Sequence, residues 1–148
     1  MRSARLAAAV LCASVLAACG SPGASITFSA PAKFSDSKNI LGMAQIWTTP
    51  NQKEMLMLMK LPVNADSRKT AFNSPVMKNA TIQRQVAIKI CGNQPARSFE
   101  MLQTKKHQHI EALITTTSGS TYMSMYGYPV GSKPDPQAES AIKNLCAK

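Results

Sequence analysis

The sequence predicts an α+β domain, an antiparallel sheet of about five or six strands with a C-terminal amphipathic helix packed on one face. Three observations predict it. Runs of two-residue alternation recur: Val86, Ile88 and Ile90 lie on one face, with Gln85, Ala87, Lys89 and Cys91 on the other, and Ile110, Ala112 and Ile114 alternate against His109, Glu111 and Leu113. Such alternation marks a half-buried strand. Turn signals separate the runs, among them Thr49-Pro50-Asn51-Gln52, Gly92-Asn93 and Ser118-Gly119. Near the end, Asp135-Pro136 supplies an N-cap and a proline at the first helical position. Ala138, Ala141, Ile142, Leu145 and Cys146 then fall on one helical face. An all-β sandwich is the rival. The terminal helix and the long unpatterned stretch from Val63 to Ala80 count against it.

Each element follows in order. Ile26-Thr27-Phe28 is a short first strand after a polar tether. Ile40 to Thr48 is mixed apolar and holds the single tryptophan, Trp47. In Glu54 to Leu61, Met55, Met57 and Met59 alternate with Leu56 and Leu58, so both faces are apolar and a central strand is expected. It pairs as a hairpin with Gln45–Thr49. Pro62 ends it, and Asp66 caps a short helix over Ser67 to Asn73, stopped before Ser74-Pro75. Gln83 to Cys91 is a strand, Gly92-Asn93 turns the chain, and Arg97 to Gln103 is the next strand. Thr104 to Gln108 is a polar loop. His109 to Thr117 and Thr121 to Tyr128 form a hairpin, with Tyr122, Ser124, Tyr126 and Tyr128 on one face and Met123 and Met125 on the other. Gly131 to Pro134 is loop, and the C-terminal helix closes the domain.

The N-terminus carries a different signal. Arg2 and Arg5 are followed by an apolar run, Leu6 to Leu16, too short to span a bilayer as a helix. Leu16-Ala17-Ala18-Cys19 then resembles the bacterial lipoprotein signal, the lipobox, with a polar tether after it. An ordinary secretory leader with an incidental cysteine is the plainer alternative. The resemblance implies residues 1–18 as a cleaved signal peptide, diacylglycerol on the Cys19 sulfur, residues 19–25 as a lipidated tether and residues 26–148 as a single domain. Two or three acyl chains make a stable anchor where one alone is marginal. Gly20 stands where an aspartate would imply retention at the inner membrane, so the resemblance favours the outer membrane, facing the periplasm.

Losing Arg2 and Arg5 with the leader takes the net charge from +10 to +8 over 130 residues, enough for one small domain. A basic surface on an anchored protein fits anionic headgroups or an anionic envelope polymer. A merely solvated charged surface explains it equally well. Export and the lack of a nucleic-acid module argue against a nucleic-acid partner.

Of four cysteines, Cys12 leaves with the leader and Cys19 is taken by lipid. Cys91 and Cys146 remain in an oxidising compartment and are expected to pair. Cys146 on the apolar helical face points at the sheet where Cys91 ends a strand, so helix pattern and disulfide support each other. A redox-active pair would want the Cys-x-x-Cys spacing, which is absent.

The segment Ile90 to Ala96, the run Thr121 to Tyr126, and Pro134-Asp135-Pro136 with the helix to Cys146 are similar to small bacterial envelope proteins of unassigned function. The layout also resembles, at the level of fold, PsbP-like α/β/α sandwich domains. That resemblance implies an assembly or binding module and not an enzyme.

Site candidates are few. Tyr122, Tyr126 and Tyr128 form a ladder that would serve as an aromatic binding face; a cross-strand packing row is the preferred reading. His107 and His109 are the histidine pair, and in an extended segment both would face one side. With thioethers from Met123 and Met125 they would suit copper or zinc. Methionines alternating with leucines are better read as core filler, and Lys105-Lys106 repel a cation, so no metal and no cofactor is assigned. Seven carboxylates show no catalytic spacing and there is no Gly-x-Ser-x-Gly. The sequence therefore predicts a cell-envelope lipoprotein that works without catalysis, binding or assembling a protein partner or envelope component. The alternative is a periplasmic small-ligand or metal-binding protein.

Overall fold

The computed structural model describes residues 22, 23, 25–61, 77 and 79–148. Its strands are β1 (Asp36–Ile40), β2 (Ala44–Thr48), β3 (Met55–Leu61), β4 (Ala80–Ile90), β5 (Gln94–Gln103), β6 (Gln108–Thr117) and β7 (Ser120–Pro129), and one described α-helix, α1 (Pro136–Lys143), follows. All seven strands form one antiparallel sheet in the order β1-β2-β3-β7-β6-β5-β4. Two meanders, β1 to β3 and β4 to β7, meet side by side where β3 pairs with β7 from Met55↔Gly127 to Leu61↔Thr121. The expected leader, Cys19 and the expected helix over Ser67 to Asn73 lie outside the described residues.

The α+β class stands, with seven strands in place of five or six. Sequence reading passed over β1 because every residue of Asp36–Ile40 is exposed and no apolar alternation marks it. Backbone pairing with β2 alone defines it, as expected of an edge strand. Ile26 to Phe28 is not a strand: Ile26 forms an isolated bridge with Ala147, the final segment folding back on the entering chain. The helix is also shorter than its apolar period. Asp135 caps it by accepting from the Gln137 amide, with Pro136 at its start. It stops at Asn144, whose carbonyl and side chain both accept from the Thr27 hydroxyl, at 3.0 and 2.8 Å. Beyond the helix Leu145 is buried and Cys146 half-buried; the Thr27 amide donates to the Cys146 carbonyl at 2.9 Å, and the Cys146 amide donates to the Thr27 hydroxyl at 3.2 Å.

The two sheet faces bury different chemistry. One is a methionine-rich layer, with Met57, Met77, Met101, Met123 and Met125 around Phe99, Leu61, Ile110 and Ala112. Across strands, Met57 faces Met125 and Met59 faces Met123. The core-filler reading of these methionines fits that layer. The other face lies under α1. Phe34, Leu56, Tyr126, Ala138 and Ile142 cluster there, beside Ile26, Leu58, Ile90, Leu113, Tyr122 and Leu145. Ser124 is fully buried between these clusters and donates to the Ile142 carbonyl at 2.6 Å, tying the sheet centre to the last turn of the helix. Cys91 and Cys146 are disulfide-bonded with Cα atoms 5.6 Å apart, fixing the tail beyond α1 to the β4–β5 turn.

Candidate functional site

Strand alternation places Tyr122, Tyr126 and Tyr128 on the face under α1. Tyr122 and Tyr126 are buried and only Tyr128 reaches the surface. An open aromatic face made of all three is therefore not what the fold presents. Tyr122 packs with Ile26 and Leu145. Tyr126 takes Phe34 edge-on, with ring centroids 6.3 Å apart. The aromatic row does continue outward: Tyr126 stacks on Tyr128 at 5.0 Å, and Tyr128 on His109 at 5.5 Å.

The histidines do not form the expected pair. His107 sits at the end of a 3-10 turn, Thr104–Lys106, in the left-handed conformation at φ 49°, and lies outside β6. The extended geometry that would put it beside His109 is absent. Met123 and Met125 lie in the methionine layer, on the opposite face of the sheet from His109. Among the described residues no group of three His, Cys, Asp or Glu side chains is arranged to hold a metal ion.

Two polar arrangements went unread in the sequence. Lys33 pairs with Glu54 and Asp135. Burial works against its ammonium, but hydrogen bonds to Asp135 and Glu54 outweigh this and hold its pKa above the ordinary value. The Lys33 hydrogen bond in turn lowers the Asp135 carboxyl. Tyr126 joins this group, its hydroxyl accepting from the Asp135 amide at 3.0 Å, and burial pushes its pKa up to about 12. Nothing local marks Lys33 among the many basic residues; tertiary pairing alone identifies it.

The second arrangement is a pocket of about 330 Å³ lined by Gln83, Glu100, Met101, His109, Ile110, Glu111 and Tyr128. Glu100 and Glu111 stand directly opposite on β5 and β6, a like-charge pairing that normally destabilises a sheet. Arg84 relieves Glu100 with an ion pair at 3.1 Å. Burial, then the nearby Glu139 charge, raises the Glu111 pKa, while the Tyr128 hydroxyl donates to it at 3.3 Å. Burial, then the Glu111 charge, raises Tyr128 to about 12.

A larger cleft lies elsewhere, on the methionine side of β4, β5 and β6. It measures about 670 Å³ and is lined by Ala87, Ile88, Lys89, Pro95, Ala96, Arg97, Phe99, Ile114, Thr115 and Thr116. Its floor is apolar. Most of its polar groups are satisfied inside the protein. Lys89 donates to the Asn93 side chain at 2.6 Å, Thr115 to the Pro95 carbonyl at 2.9 Å, and Thr116 and Thr121 share a bond of 2.9 Å. Arg97 is exposed and pairs with no described carboxylate.

No protein-family model matches the chain. No curated protein matches it. Solved structures do. A protein of unknown function from Pseudomonas aeruginosa, PA94, described as a putative regulator, matches with a TM-score of 0.51 at 10% identity, over 84% of this chain and 98% of that one. Cyanobacterial PsbP (CyanoP) from Synechocystis sp. PCC 6803 matches with a TM-score of 0.48 at 14% identity, over 71% of this chain and 81% of that one. A PsbP-like structure thus stands among the proteins this chain is similar to. At these identities the likeness is one of fold, and of the two only the first exceeds a TM-score of 0.5.

Proposed function

We propose that the protein is a cell-envelope lipoprotein, lipidated at Cys19 and facing the periplasm from the outer membrane. Its α+β domain acts without catalysis, as a binding or assembly module for a protein partner or an anionic envelope component. The observation that carries the binding role is the makeup of the 670 Å³ cleft. Its lining offers apolar surface and cations, the chemistry of holding an amphiphilic or anionic partner. Its hydroxyls are engaged within the fold, and it contains no carboxylate, histidine or thiol to move a proton or attack a substrate.

The test is site-specific photo-cross-linking in cells, with a photo-reactive residue in place of Arg97. A discrete adduct is expected, and Ala87→Trp, which fills the cleft, should abolish it. No adduct from a folded, disulfide-bonded protein would count against the reading. The second reading, periplasmic binding of a small ligand, is favoured by the 330 Å³ pocket at His109, Glu111 and Tyr128. Its metal form has less support, since His107 and His109 are not placed on one strand.

A further inference from the structure

Three of the five large hydrophobic side chains exposed among the described residues sit side by side in one turn. Leu41 is 90% exposed, Met43 56% and Ile40 46%. They form the tip of the β1–β2 hairpin, and the tip is well fixed. The Met43 amide donates to the Ile40 carbonyl at 3.0 Å, the Gly42 amide to the Asn39 side chain at 2.8 Å, and the Lys60 amide to the Met43 carbonyl at 2.9 Å. Leu41 holds a left-handed φ of 51°, a conformation that favours Gly, Asn or Asp. A leucine there places a large apolar side chain in water at a backbone cost, and nothing among the described residues covers it.

Acidic charge is sorted along the same axis. Cross-strand register carries the Ile40 row through Ala44, Met59, Met123 and Ile114 to Arg97. Lys60 and Lys89 lie at or beyond this row, toward the tip. Among the described residues no acidic side chain lies there. Glu100 and Glu111 sit three rows the other way, and Asp36 and Glu54 lie at the opposite rim, where Lys33, Lys53, Lys105 and Lys106 mix cations with the acids.

The chain also enters the domain at the tip end. Ile26 packs with Ile90, Ala96 and Tyr122, and the Ser25 carbonyl accepts from the Lys148 amide. Six residues back to Cys19 reach about 20 Å when fully extended. The opposite rim, a ten-residue strand away, is about 30 Å off at strand rise.

From this we infer that the β1–β2 end of the sheet docks on an anionic phospholipid bilayer, Leu41 and Met43 entering the headgroup layer while Lys60, Lys89 and Arg97 face lipid phosphates. The inference rests on the lipid anchor at Cys19 proposed above and goes beyond it, because an anchor alone fixes no orientation. Apolar side chains flanked by lysine and arginine are the chemistry of an interfacial contact.

The test uses the mature full chain, purified from membranes in detergent and reconstituted into vesicles of phosphatidylethanolamine with brominated phosphatidylglycerol. Flotation reads anchoring, and bromine quenching of tryptophan reads depth. Leu41→Trp and Val130→Trp are compared with the wild type, whose Trp47 packs on Phe28; Val130, exposed beyond the end of β7, reports the opposite rim. Expected is quenching of Leu41→Trp about twofold above the other two, and weaker quenching in brominated phosphatidylcholine. A protein that floats while both variants and the wild type quench alike overturns the docking and leaves the anchor, with the tip then free for a protein partner. A protein that fails to float overturns the anchor and the docking together.

Discussion

Glu111 is held where a carboxylate is least welcome. It is half-buried, faces Glu100 across the β5–β6 ladder and feels the Glu139 charge, so its pKa lies above the ordinary value. A carboxyl whose folded pKa is raised binds its proton more tightly in the folded state than in the unfolded chain. Its unfavourable contribution is absent below the unfolded pKa, grows as pH rises toward the folded pKa, and is complete above it. Glu111→Gln removes the charge and keeps an acceptor for the Tyr128 hydroxyl. The variant should therefore unfold at higher urea than the wild type at about pH 7, with the gap closing by about pH 4. An equal gap at both pH values would assign the effect to packing. Sequence alternation alone placed Glu111 on the same face as His109, but the cross-strand partner and the degree of burial come from register, which no local pattern carries.

At the scale of elements, α1 is eight residues long, below the roughly 12–15 residues an isolated helix needs in water. Its stability is borrowed from the sheet through Ala138, Ala141 and Ile142, and from a tail fixed by the Cys91–Cys146 disulfide. That bond closes a separation of 55 residues, for which the chain-entropy account gives about 4 kcal/mol. Replacing both cysteines by serine should lower the unfolding free energy by about 2–4 kcal/mol in urea titrations and raise amide exchange in α1 first. A loss below about 1 kcal/mol would mean that the Thr27–Asn144 bonds and the Ile26 bridge suffice to hold the tail. The elements differ in how far they could be read in advance. β3 was legible because Met55 to Leu61 is apolar on both faces, which only a covered central strand tolerates. The helix start was legible from Asp135-Pro136. Its end was not, since Asn144 is set by Thr27, a residue 117 positions away. The tyrosines were read together on one strand face, but alternation cannot say that Ile26 and Leu145 close over Tyr122, and Phe34 and α1 over Tyr126, while Tyr128 stays at the edge.

For the whole molecule, hairpins account for every strand neighbour except β3 and β7, and that one long-range pairing turns two meanders into a sheet whose described acids all lie away from the β1–β2 tip. Neither the pairing nor the sorting of charge is visible along the chain, where the positive residues look scattered. Charge and lipid hold a protein to a membrane in distinguishable ways. Attraction of lysines to anionic headgroups is worth about 1 kcal/mol per residue near the surface, and salt screens it, the Debye length falling to about 3 Å at 1 M. Burial of acyl methylenes contributes about 0.8 kcal/mol each and is indifferent to salt. A protein carrying two or three chains at Cys19 should therefore stay with the membrane pellet through a high-salt wash and incorporate labelled palmitate in growing cells. Cys19→Ser should take up no label. Whatever mature Cys19→Ser protein is exported should leave the pellet with salt, because the contact proposed for the Leu41 tip and the cations beside it would be reversible. Release of the wild-type protein by salt alone would show that charge holds it at the membrane, and the anchor at Cys19 would then have to be abandoned.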